Sequence, residues 1–125
     1  MKASTAVAMA RAISYGRVGA GLAFLVAPRA IARLWLGTAR DDAGVALLAR
    51  TFGVRDALIG LGAVLALRQG QPPRHWIQAG ASSDAADAAV SLAAFVRNPH
   101  PLRLLIAAVS AGSAITLAWC AARVR

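Results

Sequence analysis

The sequence has no glutamate, one lysine, one cysteine and two histidines. Each shortage excludes something. A single thiol, Cys120, forms no internal disulfide and no thiolate metal site. Neither His75 nor His100 has a ligating partner at useful spacing. No P-loop, G-x-G-x-x-G, H-E-x-x-H or G-x-S-x-G occurs either, so neither a metal nor a cofactor is expected. Charge of one sign is also scarce: thirteen arginines and Lys2 face five aspartates, for a formal net charge of +9. Nucleic-acid binding needs such cations gathered on a polar face, with aromatics or a docking helix beside them. Here they stand mostly singly at the ends of apolar stretches, and no nucleic-acid partner is expected.

What the chain does have is apolar sequence. Hydrophobic residues make up 58% of its 125 residues and mean hydropathy is +0.59, above an ordinary soluble domain. Four stretches, 6–27, 45–67, 76–96 and 102–122, are each near the roughly 20 residues that cross a bilayer core. Pro28, residues 69–73 and residues 98–101 interrupt them. Residues 29–37 carry Arg29 and Arg33 four apart among apolar neighbours, the pattern of a short amphipathic helix at the interface. The expectation is an all-α, four-transmembrane-helix bundle, one membrane domain over 1–125, in contact with the lipid bilayer. A soluble bundle would need a polar stripe on every helix. Residues 104–122 offer only Ser110, Ser113 and Thr116. Arg11 and Arg17 break up the first apolar stretch, so no cleavable leader is expected. The cations flanking the four spans divide five against five, which leaves orientation unset. A chain of that kind also suits insertion both ways round and an antiparallel homodimer.

Charges inside the spans are the sharpest feature. Arg17 lies near the centre of 6–27, Asp56 at the centre of 45–67, and Asp84 and Asp87 near the centre of 76–96. An ion exposed at mid-bilayer costs about 2.5–3.5 kcal/mol on insertion scales, so mutual pairing is expected. Arg17, Arg50 and Arg55 against Asp56, Asp84 and Asp87 makes a neutral cluster on three helices, with Arg11 reaching the nearer interface. Gly80, Asp84, Asp87 and Ser91 form one polar stripe, with Ala81, Ala85, Ala89 and Ala93 alongside to admit a close neighbour. Ser14, Arg17 and Gly21 share a face, and Gly16, Gly19, Ala20 and Gly21 thin the helix around the arginine. Phe52, Asp56, Gly60 and Ala63 share another; Arg55, about 100° away, reaches a different partner or points toward Thr51.

The patterns Gly16-Arg17-x-x-x-Gly21-x-x-Phe24-Leu25-x-x-Pro28-Arg29 and Arg50-x-Phe52-Gly53-x-Arg55-Asp56-x-x-x-Gly60 carry a resemblance. They are similar to a family of small uncharacterised four-helix integral membrane proteins of high-GC bacteria and fungi, a domain of unknown function. The likeness covers nearly the whole chain. It implies the four-span fold, a multi-pass place in the bacterial inner (plasma) membrane, and importance for Arg17, Arg55 and Asp56. It implies no reaction.

Two readings of the cluster compete. In one, ion pairs hold three helices in register while the uncharged fourth packs outside. In the other the cluster is a site: two carboxylates three residues apart repel in low dielectric, so that one tends to hold a proton unless an arginine lies close. The site would act by acid–base isomerisation, cyclisation or hydrolysis on a small lipophilic molecule. Asp84 or Asp87 would be the proton donor, Asp56 its partner, Arg17 and Arg55 the orienting cations, and Phe52 and Ser91 further substrate contacts. The non-catalytic alternatives are an accessory subunit of a larger membrane complex, or a small dimeric transporter or channel with the carboxylates as its relay.

Overall fold

Helix formers run between clear breakers, and the computed structural model, which describes residues 2–36 and 43–124, follows them. Five helices occur in order: α1 (Lys2–Val26), α2 (Pro28–Leu36), α3 (Ala43–Arg68), α4 (Arg74–Arg97) and α5 (Pro101–Ala121). No strand is present among the described residues, and the fold is all-α. Gly37, the last residue of the expected interfacial helix, and Arg40 and Arg125, two of the flanking cations, lie outside them.

The chain's own punctuation sets the ends. Pro28 opens α2 rather than simply ending α1, its fixed φ suiting a first helical position. Gly70 closes α3 in the left-handed region at φ +66°, and Gln71 N–H donates to the Ala66 carbonyl at 2.8 Å, as in a Schellman motif. His100, inside the 98–101 interruption, caps α5: its Nδ1 accepts from the Leu102 N–H at 3.3 Å, with Pro101 next to it.

Two helix pairs dominate the packing, α1 with α3 and α4 with α5. In the first pair the backbones touch. A methyl built on Gly53 would lie 2.7 Å from the Gly21 carbonyl oxygen, and one on Gly60 would lie 2.7 Å from that of Ser14. Gly21 against Gly53 and Ser14 against Gly60 makes the pair antiparallel. Of the small residues expected to thin α1, Gly21 does so; a methyl on Gly16 or Gly19 would meet nothing within 4 Å. In the second pair Gly80 faces Leu117. The alanine stripe expected to bring a helix close does not: Ala85, Ala89 and Ala93 are exposed, and only Ala81 packs on the core.

The short connection between α3 and α4 makes them neighbours but not an intimate pair. They touch next to that connection, where the Trp76 ring covers Gly62. Further along they are joined mainly by charged side chains. Apolar clusters sit at the two ends of the assembly, one around Ala6, Ile77, Leu117 and Cys120, the other around Phe24, Ala32 and Ala49.

Small apolar residues make up most of the buried core, and large apolar residues are exposed on every helix. Arg17, Asp84 and Ser14 are buried, whereas Leu22, Leu34, Leu58, Val90 and Ile115 are exposed on the five helices in turn. Among the described residues one helix, α5, is long and apolar enough to cross a membrane by length and composition.

Candidate functional site

Arg17 projects from the middle of α1 into the space between the two helix pairs, and it is 8% exposed. Its Nη1 donates to Asp56 Oδ1 on α3 at 2.9 Å, and its Nη2 donates to Asp84 Oδ1 on α4. The same Nη2 reaches the Gly80 carbonyl at 3.4 Å. One guanidinium therefore joins α1, α3 and α4, its fork geometry serving two carboxylates at once.

Arg55 repeats the arrangement one step along. Its Nη1 and Nη2 donate to the two oxygens of Asp87 at 3.1 and 2.6 Å, a bidentate pair. Its Nε donates to Asp56 Oδ1 at 3.3 Å. The Phe52 ring covers the guanidinium, with its centroid 4.9 Å from Cζ, a cation–π contact. At the other end the Ser113 hydroxyl of α5 donates to Asp84 Oδ2 at 2.6 Å.

The groups form a chain of alternating sign: Ser113, Asp84, Arg17, Asp56, Arg55, Asp87. Alternation is what makes burial tolerable, because each desolvated ion has an opposite charge and hydrogen bonds in reach. The repulsion foreseen between Asp84 and Asp87 is met by giving each its own arginine. Arg55 goes to Asp87 and Asp56, not toward Thr51, whose hydroxyl donates to the Leu47 carbonyl. Each carboxylate faces a guanidinium, and no group of three His, Cys or acidic side chains is placed to hold a metal among the described residues.

Three expectations need correcting. Arg50 is exposed and stands outside the chain. The cluster is consequently not neutral: two arginines and three aspartates give a formal charge of minus one with every group ionised. The fourth long helix is not a bystander, since Ser113 closes the Asp84 end. Of the residues singled out in the sequence, Arg17, Phe52, Arg55, Asp56, Asp84 and Asp87 are brought together, and Ser91 lies one turn beyond Asp87.

Beside Asp87, α3 and α4 leave an open groove of about 270 Å³. Phe24 of α1, Ala32 of α2, Phe52 of α3 and Val90 of α4 line it, with Asp87 and Ser91 supplying its side-chain polarity. Val90 and Leu48, 70% and 61% exposed, form its lip. The groove is wholly apolar but for one wall, and that wall is the end of the charge chain.

A scan against protein-family models, a search of curated proteins and a search of solved structures each return no match.

Proposed function

We propose that this chain is a four-span integral membrane protein whose lateral groove holds a small lipophilic molecule against Asp87. The observation that carries the reading is the groove itself: an open apolar trough with a single ionised side chain in its wall. Small-molecule sites have this composition, an apolar lining with few, placed polar groups.

The spans are α1, α3, α4 and α5, with α2 at the interface. Exposed leucines and valines on every helix suit lipid rather than water. Helices α3 and α4 are longer than α5 but carry ions; Arg55, Asp56, Asp84 and Asp87 are paired within the bundle, which answers the cost of immersing them, whereas Arg50, nearer the start of α3, is exposed. Binding is favoured over turnover as the primary role. Both oxygens of Asp87 are already engaged by Arg55, so proton transfer to a bound molecule would have to compete with that pair.

Two measurements test this. In a Cys120→Ala background, Leu58→Cys and Val90→Cys should resist a membrane-impermeant maleimide in intact membranes, while Gln71→Cys reacts from one side. Full labelling of the first two would remove the membrane reading. Native mass spectrometry of protein extracted from its own membrane should show a bound lipophilic species. Filling the groove with Ala86→Phe should expel it; unchanged occupancy would mean that the groove is not where it sits.

A further inference from the structure

The groove ends on a carboxylate, and the chain of ion pairs behind it carries a formal charge of minus one with every group ionised. In the order Asp84, Arg17, Asp56, Arg55, Asp87, both terminal members are acids. The two ends are not equivalent. Asp84 is 8% exposed and its second oxygen accepts from Ser113, so that end is closed. Asp87 lines the groove. Arg55 holds both oxygens of Asp87 but is shared with Asp56, and each Asp87 oxygen keeps a further lone pair for a cation that enters by the groove.

The arginine does not serve an anion here. Arg55 directs an N–H from each of its three nitrogens to Asp87 or Asp56, its face is covered by Phe52, and it is not among the groove's lining residues. What a ligand's polar end meets is the Asp87 carboxylate, the Ser91 hydroxyl and, to one side, the Phe52 ring. An acceptor and a hydroxyl beside an aromatic ring suit a protonated amine. The lining beyond them suits a hydrocarbon body.

Resting on the reading of the groove as a ligand site, we infer that its ligand class is the lipophilic amine, bound as an ammonium ion paired with Asp87 in the groove between α3 and α4. The pair completes the alternation of charge across the bundle and brings the cluster to neutrality. A carboxylate-headed lipid would place like charge against Asp87 and is excluded by the same geometry.

The test uses three probes with one hydrocarbon chain and different heads: decylammonium, decanol and decanoate. Their binding is measured to the full chain in phosphatidylcholine nanodiscs, with partitioning into protein-free discs subtracted. Decylammonium should bind more tightly than decanol by about tenfold or more, the scale of one charge-assisted hydrogen bond in a dry site, and decanoate should bind most weakly. Asp87→Asn should erase the preference for ammonium over alcohol while leaving decanol bound, and Asp87→Glu should retain it. Equal affinities, or decanoate binding best, would overturn the amine assignment and leave the groove reading standing. A preference that survives Asp87→Asn would also overturn it. If none of the probes binds above protein-free discs, or if Ala86→Phe changes nothing, the groove reading fails and the amine with it. The wild-type ranking decides the matter even if an Asp87 variant does not fold.

Discussion

The two ends of the charge chain use the same chemistry in different surroundings. At the Arg17–Asp84 end the side chains are 7% and 11% exposed, three helices converge, and a serine occupies the spare oxygen. At the Arg55–Asp87 end they are 30% and 15% exposed, two helices meet, and an open groove takes the place of the serine. The contrast separates what an ion pair does for a fold from what it can do for a ligand. A pair closed on all sides holds helices in register; a pair with one side open presents its carboxylate. The sequence grouped Arg17, Arg55, Asp56, Asp84 and Asp87 together; in the structure the Arg17–Asp84 end is closed and the Arg55–Asp87 end borders the groove, with Asp56 shared between.

Breaking the closed end should have the largest effect. Arg17→Met leaves Asp56 and Asp84 in a buried space with one guanidinium fewer, and breaking a buried pair from one side costs about 3–5 kcal/mol. Thermal unfolding in detergent should show the loss, and Arg17→Met combined with Asp84→Leu should recover part of it. No recovery would mean that Arg17 acts by filling space rather than by charge. Next comes the weld inside the first helix pair, which owes nothing to charge. Gly53→Val drives a branched side chain against the Gly21 carbonyl and Phe24, and overpacking of this kind costs about 1–3 kcal/mol. Gly16→Val, on open space, should cost less than Gly53→Val by the same measurement. A direct comparison of the two ends follows. Asp84→Asn should lose about 2 kcal/mol, the worth of hydrogen bonds to a charged group, whereas Asp87→Asn should lose about 1 kcal/mol or less because Arg55 can turn toward the groove. Equal losses would mean that the open end is as structural as the closed one.

How much of this could be read in the sequence follows from what each inference required. Depth needed only counting: Arg17, Asp56, Asp84 and Asp87 fall mid-helix, and they meet at one level. Face needed more. Arg50 and Arg55 are five residues apart, about 140° around a helix, so one can join the cluster while the other is exposed, and nothing local says which. Pairing was less legible still. Short connections favour α3 with α4 and α4 with α5; the second is a close seam, but the other close seam is α1 with α3, where Gly21, Gly53 and Gly60 admit their neighbours. The groove was not legible because it is the space left where two helices separate, and no single residue encodes a separation.

The smallest effect concerns the group that the sequence hid best. A serine in an apolar helix usually returns its hydroxyl to its own backbone, as Ser14 does to the Ala10 carbonyl and Thr116 to that of Gly112. Ser113 instead crosses to Asp84, and the signal was only that it lies mid-helix among three polar residues in the last span. Ser113→Ala should cost about 0.6 kcal/mol, the average of a polar contact between membrane helices. Its value lies in the contrast. With its second oxygen released, Asp84 gains the free lone pairs that a competing cation would seek. Neither Asp84 nor Ser113 lines the groove beside Asp87, so decylammonium binding there should be unchanged in Ser113→Ala. Stronger binding in that variant would show that access to a carboxylate, rather than an apolar trough beside it, decides where a ligand sits. The division into a closed end and an end that borders the groove would then have to be redrawn.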